Sequence, residues 1–339
     1  MSQWNDPELQ KLFLEETPLI DVRAPIEFSE GIIPFSVNLP IMNNDERAKV
    51  GTEYKLHGQD AAIKLGHELV SGEIKAERIS AWKNYLERHP KAEVFCFRGG
   101  LRSQTSCDWI KQAGIEKKPI KGGYKRMRNF FLSWLNEAPL PNLIRVAGPT
   151  GSGKSQFIQS FTHIDLEELA HHRGSAFGER GVQPAQITFE NQLALDILKL
   201  KDKKIVIEDE SATIGKIILP RRFFLHLRSS PMVVVEVERE ERVKNIFEGY
   251  VRDHDLSFFL KGLEKIKNSL GGLRYQEIKL QMEQAFVQEL TLSNHSGWIT
   301  GLLQNYYDPT YLAAIERQKN LVLFKGSREQ VRDYLSKNN

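Results

Sequence analysis

Short apolar runs separated by polar, glycine-containing turns divide the chain into strand, loop and helix units. PLIDVRAPIEF at 18–28 is a short apolar strand ending at Asp21, followed by a polar turn and a helix start. AEVFCFRGG at 92–100 has the same build and delivers Cys96 into a glycine-containing loop. Behind it, SQTSCDWIKQAGI spaces Cys107, Trp109 or Ile110, and Ala113 along one helical face. LIRVAG at 143–148 reads as a strand, and KIVIED at 204–209 and MVVVEVE at 232–238 are nearly continuous apolar runs whose Val and Ile content fits strands covered on both faces. Strands alternating with helices predict an α/β fold.

Between the first two strands, residues 41–72 predict a helix through Ala61, Ala62, Leu65 and Leu69, with Gly51 and Gly58 breaking the half before it. This excursion is expected to pack beside the Cys96 loop or to cover it. In APLPN at 138–142, Pro139 and Pro141 resist continued helix and mark a boundary. Two domains are therefore expected, 1–138 with an inserted segment at about 41–80, and 139–339. Past about residue 240, ERVKNIFEGYV, LSFFLKGLEKI and YQEIKLQMEQAFVQEL are helical in texture, and LVLFKG near the end reads as a last strand.

The composition suits this picture, since 40% hydrophobic and 27% charged residues in 339 are those of a folded soluble protein. No run approaches the roughly 18 apolar residues of a bilayer crossing, and MSQWNDPELQ has neither a basic leader nor an apolar signal segment. The expectation is a cytoplasmic protein without a membrane partner. Cys96 and Cys107 are the only cysteines, so a disulfide framework is not the source of stability. The net charge of +3 averages 47 basic and 44 acidic side chains, so local clusters carry more information about partners.

The first such cluster is C-F-R-G-G-L-R, with Arg102 six positions after Cys96. Gly99 and Gly100 let the loop curl so that backbone N–H groups point inward, and the helix behind it adds a positive terminus. Both features favour an oxyanion and a thiolate. Arg102 can clamp two anion oxygens with its planar fork, whereas Arg98 faces outward or meets a macromolecular partner. Cys107 lacks a clustered cation and reads as core.

The second is G-P-T-G-S-G-K-S at 148–155, directly after an apolar strand. Gly148, Thr150, Gly151, Ser152, Gly153, Lys154 and Ser155 form a phosphate-binding loop in which backbone N–H groups surround phosphate, Lys154 reaches its outer oxygens and Ser155 can hold Mg²⁺. In KIVIEDES, Asp209 and Glu210 are candidates for acid or magnesium support, with Glu208 or Glu210 able to orient a partner and a strand-end carboxylate network as the alternative. No adenine-recognition motif is present, so the loop can serve ATP or the diphosphate of another substrate. Arg221, Arg222 and Arg228 in LPRRFFLHLR, with aromatic neighbours, read as RNA contacts or as solvated surface. His163, Asp165, His171 and His172 lack a zinc pattern, and no dedicated metal cluster is expected there.

DVRAPIEFSEGIIPFSVNLP at 21–40 and KGGYKRM at 121–127 resemble the opening and closing motifs of the rhodanese fold. Ile32 stands where that pattern often has His, and Phe35 where it usually has Gly. The five residues between Cys96 and Arg102 also resemble a phosphatase loop, one residue longer than that of many rhodaneses. Nearly the whole chain is similar to the tRNA 2-selenouridine synthase family, through ERAKVGTEYKLHGQDAAIKLG, VFCFRGGLRSQ, AGPTGSGKS, HRGSAFG, IEDESATIG and YYDPTY in that order.

The resemblance implies an N-terminal rhodanese-like domain and a C-terminal P-loop NTPase-like domain with helical tRNA-binding additions. It also implies geranylation of wobble 2-thiouridine by geranyl diphosphate, then replacement of geranyl-sulfur by selenium from selenophosphate. Cys96 matches the family's essential cysteine and Gly148–Ser155 its P-loop, with Cys96 and Arg102 either positioning selenophosphate or carrying selenium on Cys96. The implied partners are the tRNA anticodon region and an enzyme that supplies selenophosphate, with Mg²⁺ as a candidate ion and no tightly bound cofactor. Two other classes stand beside this reading: a sulfurtransferase or phosphatase-like hydrolase coupled to an ATPase, and a nucleotide-controlled RNA-binding adaptor. The sequence leaves oligomeric state open.

Overall fold

The computed structural model describes residues 3–338. The backbone gathers into two compact units, one running to Pro139 and including Pro184–Lys199, the other made of Leu140–Gln183 and the chain from Leu200 onward. Both are mixed α/β.

In the first unit, β1 (Leu19–Asp21) lies between β2 (Ser36–Asn38) and β3 (Glu93–Phe95), all parallel. Asp21 pairs with Phe95 in register, so the loops after β1 and β3 leave the same end of the sheet. Burial of Ile20, Val22, Val94, Trp82 and Ile110 fixes that register. Past β1, Arg23 folds back on Asp21, with Nη2 2.6 Å from one carboxylate oxygen, and also donates to the Gly31 carbonyl at 3.0 Å. Its guanidinium lies 3.8 Å from the Tyr124 ring centroid. Both partners of the ion pair are out of water, so it ties the β1 loop to the helix carrying Tyr124.

The excursion after β2 is more helical than its glycines suggest. One helix spans Asn44–Leu69; Gly58, with φ 83° and ψ −171°, breaks it as expected, but Gly51 does not. Asn43 caps the start by accepting from Glu46 N at 2.8 Å while Glu46 accepts from Asn43 N at 2.7 Å. A capping box of this kind offsets one interior glycine, which costs about 1 kcal/mol. The returning helix, Gly72–Arg88, buries Trp82, whose indole donates to the Leu39 carbonyl at 2.8 Å. Lys75 sits 4.5 Å over the Trp109 ring, so the excursion packs beside the helix that follows the Cys96 loop.

Helix Gln186–Leu200 belongs almost wholly to this unit although it follows the phosphate loop in sequence. Thr188 accepts from Ile32 N at 3.0 Å, and Asn191 donates to the Ile32 carbonyl at 2.8 Å. Gly31 permits this docking, since a Cβ there would stand 2.6 Å from Ile187 Cγ2 and 2.5 Å from the Tyr124 hydroxyl. Phe35 takes a left-handed φ of 64°, a region where glycine is at ease and a phenylalanine is strained.

In the second unit five parallel strands run in the order β10, β9, β4, β6, β5, where β4 is Asn142–Ala147, β5 His163–Ile164, β6 Lys204–Glu208, β9 Met232–Val235 and β10 Val322–Gly326. A separate antiparallel hairpin joins β7 (Thr213–Ile214) to β8 (Ile217–Ile218). The central strands are buried on both faces, mostly by Val, Ile and Leu, with Arg145 of β4 and Glu208 of β6 as buried charged exceptions. The helices Arg239–Gly249, Leu256–Leu270, Gly272–Phe286 and Leu292–Leu302 close on a further core of Phe259, Leu263, Met282 and Trp298. Among the described residues no helix is long and apolar enough to cross a membrane.

Candidate active site

Cys96 follows β3 directly and is 3% exposed, with its Sγ 3.1 Å from the Ser103 hydroxyl. The loop turns through Gly99 at φ 67° and ends at Gly100, which caps helix Leu101–Gln112. Its other wall is helix Gly123–Asn136: Tyr124 N donates to the Cys96 carbonyl and Lys125 N to the Phe97 carbonyl, each at 2.9 Å. A Cβ on Gly123 would lie 2.1 Å from the Cys96 carbonyl oxygen, so KGGYKRM supplies the close backbone approach that shapes the loop.

Arg102 holds a carboxylate of the protein itself. Its Nη1 and Nη2 donate to Glu27 Oε2 and Oε1 at 2.6 and 3.1 Å, with Arg47 Nε 3.7 Å from the same carboxylate. Burial alone would raise the Glu27 pKa, but Arg102 outweighs it and holds the carboxyl below its ordinary value. Arg98 is exposed, with its guanidinium 5.8 Å from the Phe97 ring centroid. Burial, then Asp108, push the Cys107 thiol up to about 12, and Cys107 packs as core.

The phosphate loop leaves β4 and turns at Gly151 (φ 82°) and Gly153 (φ 73°) before helix Lys154–Ile158. Gly148 has no room for a side chain, since a Cβ would meet Ser152 Oγ at 2.7 Å and the Val235 carbonyl at 3.0 Å. The loop's outer carbonyls are tethered: Asn245 donates to Gly151 O and Arg328 Nε to Ser152 O, both at 2.9 Å. Arg242, held by Asp308 at 2.7 and 2.8 Å, backs the loop near Thr150. Ser152 N donates within the loop to the Pro149 carbonyl at 3.1 Å, and with the Gly151 and Ser152 carbonyls occupied outside, the concave side is left to N–H groups of the other loop residues. Lys154 Nζ rests on the Gly148 carbonyl at 2.8 Å.

Beside Lys154 stand three carboxylates. Oxygens of Glu167, Glu208 and Glu210 lie within 4.8 Å of one another, and Ser155 donates to Glu167 at 3.1 Å. Glu208, at the end of β6, is 1% exposed and neither of its oxygens has a hydrogen-bond partner. Burial first, and then the neighbouring carboxylates, push all three pKa values well above the ordinary range, with Lys154 acting in the opposite direction. Buried, mutually repelling oxygens of this kind can coordinate a divalent ion.

This arrangement corrects the expectation for Asp209. Side chains alternate at a strand end, so Asp209 faces away from Glu208 and Glu210 and accepts from Arg145 at 2.6 Å and Arg228 at 2.7 Å. Arg228, expected at RNA, is therefore engaged internally, whereas Arg221 is exposed and Arg222 half-buried at the start of helix Arg221–Ser229. The histidines of THIDLEELAHH do not converge. His163 meets the Phe161 carbonyl, His171 the Val182 carbonyl, and Asp165 caps a helix. Glu167 from that same segment is the ligand-like residue that sequence reasoning missed.

The tRNA 2-selenouridine synthase AAA domain model matches residues 141–339. A tRNA 2-selenouridine synthase of Bdellovibrio bacteriovorus is 44% identical, with 97% of each chain aligned. One from Nitrosomonas eutropha is 42% identical over 97% of this chain and 96% of its own, and one from Pseudomonas syringae pv. syringae 42% over 98% and 97%. Taken with the phosphate loop and the acidic cluster, these full-length similarities show that the chain belongs to the tRNA 2-selenouridine synthase family.

Proposed function

We propose that this protein converts the wobble 2-thiouridine of tRNA to 2-selenouridine in two transfers, geranylation followed by selenation. The observation that carries the reading is the phosphate loop facing a buried, unpartnered Glu208 beside Glu167 and Glu210, a site suited to a diphosphate with a divalent ion. Ser155, Glu208, Glu167 and Glu210 would hold Mg²⁺, which would offset charge on the diphosphate. Backbone N–H groups of Gly151, Gly153, Lys154 and Ser155 and the Lys154 ammonium bind the diphosphate of geranyl diphosphate and orient its allylic carbon. The thione sulfur attacks that carbon, the carbon–oxygen bond breaks, pyrophosphate leaves against Lys154, and the uridine N3 proton goes to solvent.

The first unit, with Cys96 following the third parallel strand and with Pro184–Lys199 returned to it from beyond the expected boundary, reads as rhodanese-like, and the second unit as the P-loop domain with helical additions for tRNA. Cys96 and Arg102 hold selenophosphate, whose selenium attacks uridine C2 and expels geranyl thiolate, and water then removes the phosphoryl group. Arg102 exchanges Glu27 for the incoming anion. Arg98, Arg221 and Arg222 contact the RNA backbone, and an enzyme making selenophosphate supplies the donor in the cytoplasm. The test is mass analysis of a 2-thiouridine anticodon stem-loop after incubation with the full chain, Mg²⁺ and each donor in turn. A geranyl adduct that becomes selenouridine is expected. An unmodified stem-loop with both donors contradicts the reading.

A further inference from the structure

The loop after β3 engages its carbonyls and leaves its amides open. The carbonyls of Cys96 and Phe97 accept from Tyr124 N and Lys125 N, and that of Gly100 accepts from Gln104 N and from the Ser103 hydroxyl, both at 3.1 Å. The backbone N–H groups of residues 97 to 102 have no acceptor among the described residues. Helix Leu101–Gln112 also starts without a side-chain cap, so these donors and the positive helix end remain available to an oxyanion. Glu27 already stands in for such an anion, since its carboxylate fills the Arg102 fork. Cys96 is 3% exposed, so its sulfur meets only a group small enough to enter the loop.

A phosphoryl group held by its oxygens in this cradle turns its phosphorus to Sγ and its fourth substituent outward. Selenium, larger than oxygen and a weaker acceptor, takes the outward place. We infer that Cys96 accepts the phosphoryl group as phosphocysteine and does not carry selenium, an inference that rests on the selenation reading of this loop and deepens it. Once selenium has displaced geranyl thiolate at uridine C2, Sγ attacks phosphorus. The sulfur–phosphorus bond forms, the phosphorus–selenium bond breaks, selenium keeps the bonding pair, and the thiol proton passes through water to uridine N3. Water then attacks phosphorus, sulfur leaves with its pair and regains a proton, and inorganic phosphate departs. Ser103, fully buried with its hydroxyl 3.1 Å from Sγ, is a positioning residue for this second step. By turning its one proton from the Gly100 carbonyl to Sγ, it stabilises the sulfur as it leaves. The same cradle slowly hydrolyses an activated phosphate monoester with no RNA present.

The experiment stops the full chain in alkaline denaturant during turnover of a geranylated 2-thiouridine stem-loop with selenophosphate, and maps Cys96 by peptide mass. Para-nitrophenyl phosphate serves as the RNA-free probe. A phosphoryl group on Cys96 is expected with both substrates and is absent in Cys96→Ala. Ser103→Ala should hold at least about tenfold more phosphocysteine than the wild type, because losing a hydrogen bond to charged sulfur slows its release. Ser103→Thr, which keeps the hydroxyl, should return the adduct to the wild-type level, a pattern that loss of fold does not produce. Selenium on Cys96, or selenouridine formed with no phosphoryl adduct in either wild type or Ser103→Ala, overturns the phosphoryl acceptor while leaving selenation standing. Cys96-dependent phosphate release from the ester, with no selenouridine from the stem-loop, keeps the acceptor and overturns selenation. Absence of both activities overturns the two together.

Discussion

Arg102 and Glu27, 75 positions apart in sequence, meet through two guanidinium nitrogens at 2.6 and 3.1 Å. The residue best placed to clamp an anion beside Cys96 is thus held by an internal carboxylate, which shapes the guanidinium and competes with any ligand. Glu27→Gln weakens that grip. The variant should bind selenophosphate or phosphate several-fold more tightly by calorimetry and lose on the order of 1 kcal/mol in denaturant unfolding.

The same pair sets a pH dependence. Because Arg102 holds the Glu27 pKa below its ordinary 4.5, the unfolded chain binds the proton more readily than the folded one. Stability from this pair is complete above the ordinary value and is lost as pH falls through the folded one. Unfolding curves between neutral pH and about pH 3 should therefore show a smaller acid-side loss in Glu27→Gln than in the wild type.

Glu208 and Asp209 are adjacent in sequence and should respond oppositely. Burial and Glu167 push the Glu208 pKa up to about 8, so at neutral pH Glu208→Gln replaces a mostly protonated carboxyl and should change stability little without magnesium while losing the thermal shift with it. Asp209→Asn uncouples the fully buried Arg145 and should cost about 3 kcal/mol while leaving the magnesium shift in place. Thermal melts with and without Mg²⁺ separate the two.

Gly148→Ala tests whether the phosphate loop tolerates any filling. The added methyl group would press on Ser152 Oγ at 2.7 Å and on backbone at 3.0 Å. Diphosphate affinity should fall by at least about tenfold, with a stability loss of about 1–3 kcal/mol from overpacking.

The elements that act locally were readable from the chain alone. LIRVAG followed by G-P-T-G-S-G-K-S specifies a strand and a turn through neighbouring residues, and AEVFCFRGG does the same for Cys96. Partners set by tertiary packing were not. Glu167 comes from a histidine-rich segment that draws attention to imidazoles, Asp209 faces the opposite way from Glu208 because strands alternate, and Arg102 is committed to a carboxylate from the short helix Pro25–Glu30 after β1. Helix Gln186–Leu200 gives no local sign that it packs on Ile32 and Arg128 rather than beside its sequence neighbours. Gly51 shows a breaker overruled by a well-capped helix.

The division of labour between the two loops is most directly tested by Cys96→Ala assayed on a 2-thiouridine stem-loop with mass detection. Geranyl transfer at near wild-type yield with no selenium incorporation is expected, while Lys154→Ala fails at the geranyl step. Equal loss of both transfers in a folded Cys96→Ala protein would contradict it.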